Sequence, residues 1–240
     1  MDDFDVSFCF YDEEGYERDA DAESRILQAM HARLWSKELP SGDVLDWKPD
    51  TGTLTLSAEL AGGTTLWVSS DTIATTHANY RGVRELYSGL DAGERDRIER
   101  ALYTIAGFIV FPVHRQSLNQ VRGTKWQIRD RFDLTLECIR RHYLATDENP
   151  LARVLAEDAG FFALFGGGQE GFENYVEFFL LQDLSDGWTI GWFDGSGDPN
   201  WDFTTPPLPD SASSYRQYLD NVVTFVTRRN ARIAESLAMA

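Results

Sequence analysis

Residues 124–144 read TKWQIRDRFDLTLECIRRHYL, and this stretch decides how the rest of the chain is read. Ile128, Phe132, Leu136, Ile139 and Tyr143 fall three or four apart, the apolar stripe of a helix that must bury one face against other elements. Beside the stripe, Arg129, Asp133, Glu137 and Arg140 stand at the spacing of intrahelical ion pairs. One continuous amphipathic helix over 124–144 is expected.

Working outward, residues 53–69 read TLTLSAELAGGTTLWVS, two alternating runs around Ala61-Gly62-Gly63, which is a hairpin signal. The apolar run 108–111, ended by Pro112, is fit for a buried position. Phe4, Val6, Phe8 and Phe10 alternate with polar neighbours and predict a strand, as does 188–193. Helical spacing recurs at 24–35, where Ser24 is the cap and Ile26, Leu27, Met30 and Leu34 the stripe. It recurs at 93–106 and 151–165, while 172–184 is an apolar segment read as a buried helix with strand still open. Tyr215, Tyr218, Val222, Phe225, Arg229, Ile233 and Leu237 mark a long C-terminal helix opened by Asp210 or Ser211. No repeat or linker divides the chain. The expectation is an α+β fold, several helices on a small and mostly antiparallel sheet, as one domain over 1–240.

Composition bounds the function classes. Of 240 residues, 42% are apolar and 13% aromatic, enough to exclude a disordered chain. The net charge of −17 repels nucleic acid and anionic membrane, so neither bulk DNA nor a membrane is an expected partner. Cys9 and Cys138 lie far apart without metal-ligand spacing, which argues against a disulfide framework or a zinc site. The acidic start, MDDFD, is unlike a signal peptide, and the apolar run 105–113 is far short of a membrane span. A cytoplasmic address follows, and no cofactor is expected.

Charge is not evenly spread. Between His114 and His142 stand Arg115, Arg122, Lys125, Arg129, Arg131, Arg140 and Arg141 against Asp130, Asp133 and Glu137, a net +4 that leaves −21 for the rest. Arginine is suited to bidentate recognition of phosphate or carboxylate. Arg122-Gly123 ahead of a helix N-terminus would make an anion cradle. Arg115, Asn119, Arg122, Lys125, Arg131 and Arg141 are therefore the expected ligand-binding residues. The ligand would be an anionic small molecule or nucleotide held by a binding or regulatory protein. In an enzyme acting on a nucleotide or nucleic-acid substrate, the same arginines would act with Asp133 or Glu137 as base or metal ligand. In an interaction module, the basic face would meet an acidic partner. The opposing reading is that ion pairs along the helix consume this charge and leave no ligand site.

Weaker patterns carry less. Residues 166–171 satisfy GxGxxG but follow a helical pattern instead of a strand, so they read as a helix end and turn. Asp194, Ser196, Asp198, Asn200 and Asp202 alternate like calcium ligands, yet Pro199 and Thr205 stand where that loop needs Gly and Glu. Cys138 and His142 share a helix face, although a mid-helix Cys normally packs as a small hydrophobe. Asp19 and Asp21 could bind a metal or favour the N-terminus of the next helix, the second being the simpler role.

Several phrases resemble a bacterial family described as a domain of unknown function. They are LWSK at 34–37, LPSG at 39–42, RFDLTLECIRRHY at 131–143, FFLLQDL at 178–184 and FTTPPLP at 203–209. Asn119 with Arg122-Gly123 is similar to an Asn-x-x-Arg-Gly of that family. The resemblance spans most of the chain and implies one folding unit. It brings no activity or catalytic residue.

Overall fold

The computed structural model describes residues 5–14, 19–50, 53–60, 63–113, 117–145, 149–186, 189–195 and 202–239. Its centre is a four-stranded antiparallel sheet in the order β1 (Lys48–Pro49), β2 (Thr55–Glu59), β3 (Thr65–Thr72), β4 (Phe108–Pro112). The β2–β3 hairpin forms where alternation predicts it, with Leu56 opposite Val68 and both side chains buried. Strand β4 is buried at every residue, as its unbroken apolar run requires.

Helices surround this sheet. They are α1 (Ala20–Glu23), α2 (Arg25–Trp35), α3 (Arg81–Ser88), α4 (Ala92–Leu102), α5 (Leu118–Thr124) and α6 (Phe132–Leu144), then α7 (Ala152–Glu157), α8 (Ala159–Phe162), α9 (Gly168–Phe178) and α10 (Ala212–Met239). A second, two-stranded ribbon joins β5 (Ser185–Asp186) to β6 (Thr189–Ile190). The fold is α+β. Ser24 caps α2 as expected, its Oγ accepting from the Leu27 amide at 2.9 Å. Leu27, Met30, Leu34 and Trp35 are buried, whereas Ile26, expected on the same stripe, is exposed. On α10 the predicted stripe is buried from Tyr215 to Ile233, Arg229 included. One apolar cluster runs from Phe10 to Ile233, and no described helix is long and apolar enough to cross a membrane.

Three expectations need correction. Residues 124–144 are not one helix: α5 ends at Thr124, the chain turns, and α6 starts at Phe132. Arg129 and Asp130 take φ of 48° and 61°, a left-handed pair that no α-helix accommodates. Residues 5–10 are not a strand, because Asp5 Oδ1 accepts from the Ser7 amide (2.8 Å) and hydroxyl (2.6 Å) and bends the chain. Phe10 still reaches the core, edge-on to Phe108 at 5.4 Å, while Phe4 lies outside the described residues. The apolar segment 172–184 is helical only to Phe178, and α9 begins earlier, at Gly168.

Candidate functional site

The basic stretch is taken up largely inside the fold. Arg122, in the last turn of α5, is fully buried. Its Nη1 donates to Asp71 Oδ2 at 2.6 Å and to the Thr72 carbonyl at 2.9 Å, and its Nη2 to the Asp130 carbonyl at 2.7 Å. Arg131, at the N-cap of α6, forks onto Asp133 and donates through Nη1 to Asp194 Oδ2 and the Pro207 carbonyl, each at 2.9 Å. Glu137 accepts from Arg140 (Nε, 2.7 Å) and from Arg141 (Nε, 2.7 Å), and Arg141 also lies 4.9 Å over the Phe203 ring. Lys125 is exposed just past α5, and Arg115 lies outside the described residues.

Of the six expected ligand residues, Asn119 and Arg122 therefore meet at one place, while Arg131 and Arg141 are each engaged elsewhere. The helix-N-terminus cradle at Arg122-Gly123 is corrected: Gly123 sits inside the last turn of α5, and the next helix begins only at Phe132. Asp133 accepts from the Arg131 fork and from the Phe193 amide at 2.8 Å, so it and Glu137 are buried and fully committed to hydrogen bonds. Burial also pushes the Cys138 thiol well above its ordinary range and lowers His142, the reverse of what a thiolate–imidazole pair needs. Asp194 is bound to Arg131, Asp202 accepts from Thr204, and Ser196, Asp198 and Asn200 lie outside the described residues.

What Asn119 and Arg122 do meet is a cleft of about 670 Å³. Its floor is the end of β3, with Asp71 and Thr72, beside α5. One wall is the start of α1, with Asp19 and Asp21; Glu99 of α4 and the left-handed Asp130 line it as well. Tyr11 and Tyr103, stacked at 4.0 Å between ring centroids, add an aromatic surface. Tyr80 braces Asp130 from outside, its hydroxyl donating to Oδ2 at 2.8 Å.

The electrostatics are acidic. Arg122 carries the one positive charge among the described lining residues, and Asp71 already faces it. Asp21 is pushed up to about 8, first by burial, then by the neighbouring charges of Asp71 and Asp19, against the downward pull of its hydrogen bonds from Thr72 and Ser70. Asp71 is also raised by burial, with Arg122 opposing. Asn119 adds an acceptor: its Nδ2 donates to Ser69 Oγ (3.1 Å) and the Ser70 carbonyl (3.2 Å), which leaves its buried Oδ1 without a protein partner. No three of the described His, Cys, Asp or Glu side chains stand close enough to hold a metal ion between them.

The sequence singles out Asn119 and Arg122 but not Asp71 or Glu99, and for Asp21 it offers a metal or, more simply, the dipole of the next helix. Asp71 had a weak signal, since it stands in the polar run Ser69-Ser70-Asp71-Thr72 that follows the apolar Leu66-Trp67-Val68 of its strand. Asp21 had none, because its partners Ser70 and Thr72 are about fifty residues away in sequence.

Fold and site together define an α+β protein with a carboxylate-lined cleft at the end of its sheet. The chain belongs to the family of unknown function DUF6994, whose model matches residues 4–233. No protein of curated function and no solved structure matches it.

Proposed function

We propose that this is a binding protein whose cleft takes a small polar ligand bearing an amine or guanidinium group. The observation that carries this reading is the convergence of Asp19, Asp21, Asp71, Asp130 and Glu99 on one cleft whose single described cation is already neutralised. Burial first, and then the charges of Asp71 and Asp19, push Asp21 above the usual carboxylate range, and such perturbed groups concentrate at functional sites. A ligand bringing positive charge and several donors would pair with these carboxylates. The stacked tyrosines supply a π-face of the kind cations prefer. The phosphate-bearing ligand suggested by the basic stretch would enter this cleft against its carboxylates, with Arg122 already engaged by Asp71 and with Arg131 and Arg141 bound to carboxylates outside it.

A thermal-shift screen tests the reading with agmatine, 1,4-diaminobutane and, as the opposing arm, nucleotides with magnesium. Ligand at about a hundred times its dissociation constant stabilises by about 2.7 kcal/mol, or roughly 5–10 °C for a chain of this size. Stabilisation by the amines, reduced in Asp19→Asn, supports the reading. Stabilisation by nucleotides alone returns the site to an anionic ligand.

A further inference from the structure

A groove of about 340 Å³ that shares no lining residue with the carboxylate cleft forms where three turns meet. Trp126 and Gln127 come from the turn between α5 and α6, Asn149 from just ahead of α7, and Asp202, Phe203 and Thr204 from the segment leading to α10. Trp126 is 50% exposed, whereas Ile128, two residues on, is fully buried. The backbone fixes this contrast. The Lys125 carbonyl accepts from the amides of Ile128 (3.0 Å) and Arg129 (2.9 Å), and Arg122 holds the Asp130 carbonyl at 2.7 Å. The indole cannot fold inward without lifting Ile128 out of the core.

The other two lips are pinned as firmly. Arg131 donates to the Pro207 carbonyl at 2.9 Å, and Arg141 lies 4.9 Å over the ring of Phe203, which is buried with φ of 59°. Asp202 Oδ1 accepts from the Thr204 amide (2.9 Å) and hydroxyl (2.8 Å), and Asn149 Oδ1 accepts from the amide of the buried Leu151 at 2.9 Å. Arginines of α6 thus hold one lip and the core holds the others, so the groove needs no ligand to form it. Its volume lies in the range of small-molecule sites.

The lining sets the chemistry of an occupant. One flat aromatic plate stands beside the amides of Gln127 and Asn149, the carboxylate of Asp202 and the hydroxyl of Thr204. Asp202 is the one charged residue among the described lining residues. Hydrogen bonds from Thr204 lower it, and the charge of Arg141 pulls the same way. Arg140 and Arg141 share the single carboxylate of Glu137, so one guanidinium charge is left to balance Asp202. The groove therefore selects for neither anion nor cation. A polyproline segment docks among several rings, and here Phe203 is buried beneath Arg141. What matches is a neutral molecule with an apolar face for the indole and a rim of hydroxyls that both donate and accept. We propose that this groove is a saccharide-binding site, in which a hexose ring stacks on Trp126 and its hydroxyls bond to Asp202 and Asn149.

Saturation-transfer NMR on the full chain with maltose, cellobiose, lactose and N,N′-diacetylchitobiose tests the site. Ring C–H protons of at least one disaccharide should take up saturation. Trp126→Ala should abolish the signal, and Trp126→Phe should keep part of it, since the smaller ring still offers a π-face. Asp202→Asn retains the acceptor for Thr204 but loses the charge, and should weaken sugar binding by ~tenfold. Both side chains are exposed, so all three variants should melt where the parent does. Their response to agmatine should equal the parent's, whatever that response is, which keeps this groove separate from the cleft. Absence of saturation in all four sugars overturns the proposal, as does a signal that survives Trp126→Ala. A proline-rich peptide or tetramethylammonium that binds through Trp126 while no sugar does also overturns it.

Discussion

Asp21 and Arg229 are ionisable groups held under opposite constraints, and each makes a measurable claim. For Asp21 the sign is fixed by linkage. Its position in the folded protein, about 8, lies above its ordinary value of 3.8, so between the two the folded chain keeps a proton that the unfolded chain has released. Stability therefore falls as pH rises through that window and levels off above it. Asp21→Asn lacks the penalty, and its melting temperature should gain on the parent's as pH rises from about 5 to about 8. A difference that stays constant over that range would mean Asp21 is not protonated in the fold. Arg229 is buried without a carboxylate: its guanidinium donates to the carbonyls of Ala106 and Phe108 (2.8 Å each) and of Phe179 (3.0 and 3.2 Å). Burial lowers it to about 9. Arg229→Lys cannot reproduce the planar fork across three carbonyls and should cost about 2–4 kcal/mol in urea unfolding. A loss within the scatter of surface substitutions would show that water replaces the fork. That Arg229 is buried could be read from its place on the α10 stripe; that it ties α10 to β4 and to the end of α9 could not, because those carbonyls are fifty or more residues away.

At the scale of elements, local rules located what is locally determined. The Ser24 cap, the β2–β3 hairpin and the α10 stripe follow from spacing within a dozen residues or so. The break between α5 and α6 did not show, because Ile128 keeps its place in the apolar periodicity while Arg129 and Asp130 leave helical backbone. What holds them there is tertiary: the Asp130 carbonyl is bound by Arg122 and its carboxylate by Tyr80. The glycine cluster at 166–171 serves packing. Gly166 has φ of 103°, and a Cβ at Gly171 would stand 2.6 Å from the Gly166 carbonyl carbon and 3.0 Å from the Tyr143 ring. Gly171→Ala must push α9 off the preceding turn and off α6, so we expect a loss of about 1–3 kcal/mol, the range for overpacking. Gly167→Ala, where nothing lies near the added carbon, is the control and should change stability little. Equal losses in the two variants would show that the contacts of Gly171 do not set the effect, since the loss of unfolded-chain entropy on Gly→Ala by itself stabilises.

For the whole molecule, linear charge counting found a basic island that three-dimensional pairing largely dissolves. Arg122 meets Asp71 from β3 and Arg131 meets Asp194, partners 51 and 63 residues away that no window of sequence contains. What survives at this scale is the net charge of −17 and its concentration in a cleft, and together they make a prediction about salt. The Debye length falls from about 30 Å at 0.01 M to about 3 Å at 1 M salt, so added salt removes long-range forces and spares contacts. Self-repulsion of the folded chain weakens, and its melting temperature should rise with salt. Attraction of a cationic ligand weakens at the same time, so agmatine should bind less tightly, chiefly through a slower association rate, as the protein itself becomes more stable. For a phosphate-bearing ligand the field acts in the other sense, and affinity should rise as salt screens the repulsion. The two slopes, measured by thermal melting without ligand and by binding kinetics with it, give the sign of the ligand's charge before its identity is known. Parallel rises in stability and affinity would count against the cation site even if every residue of the cleft proved necessary for binding.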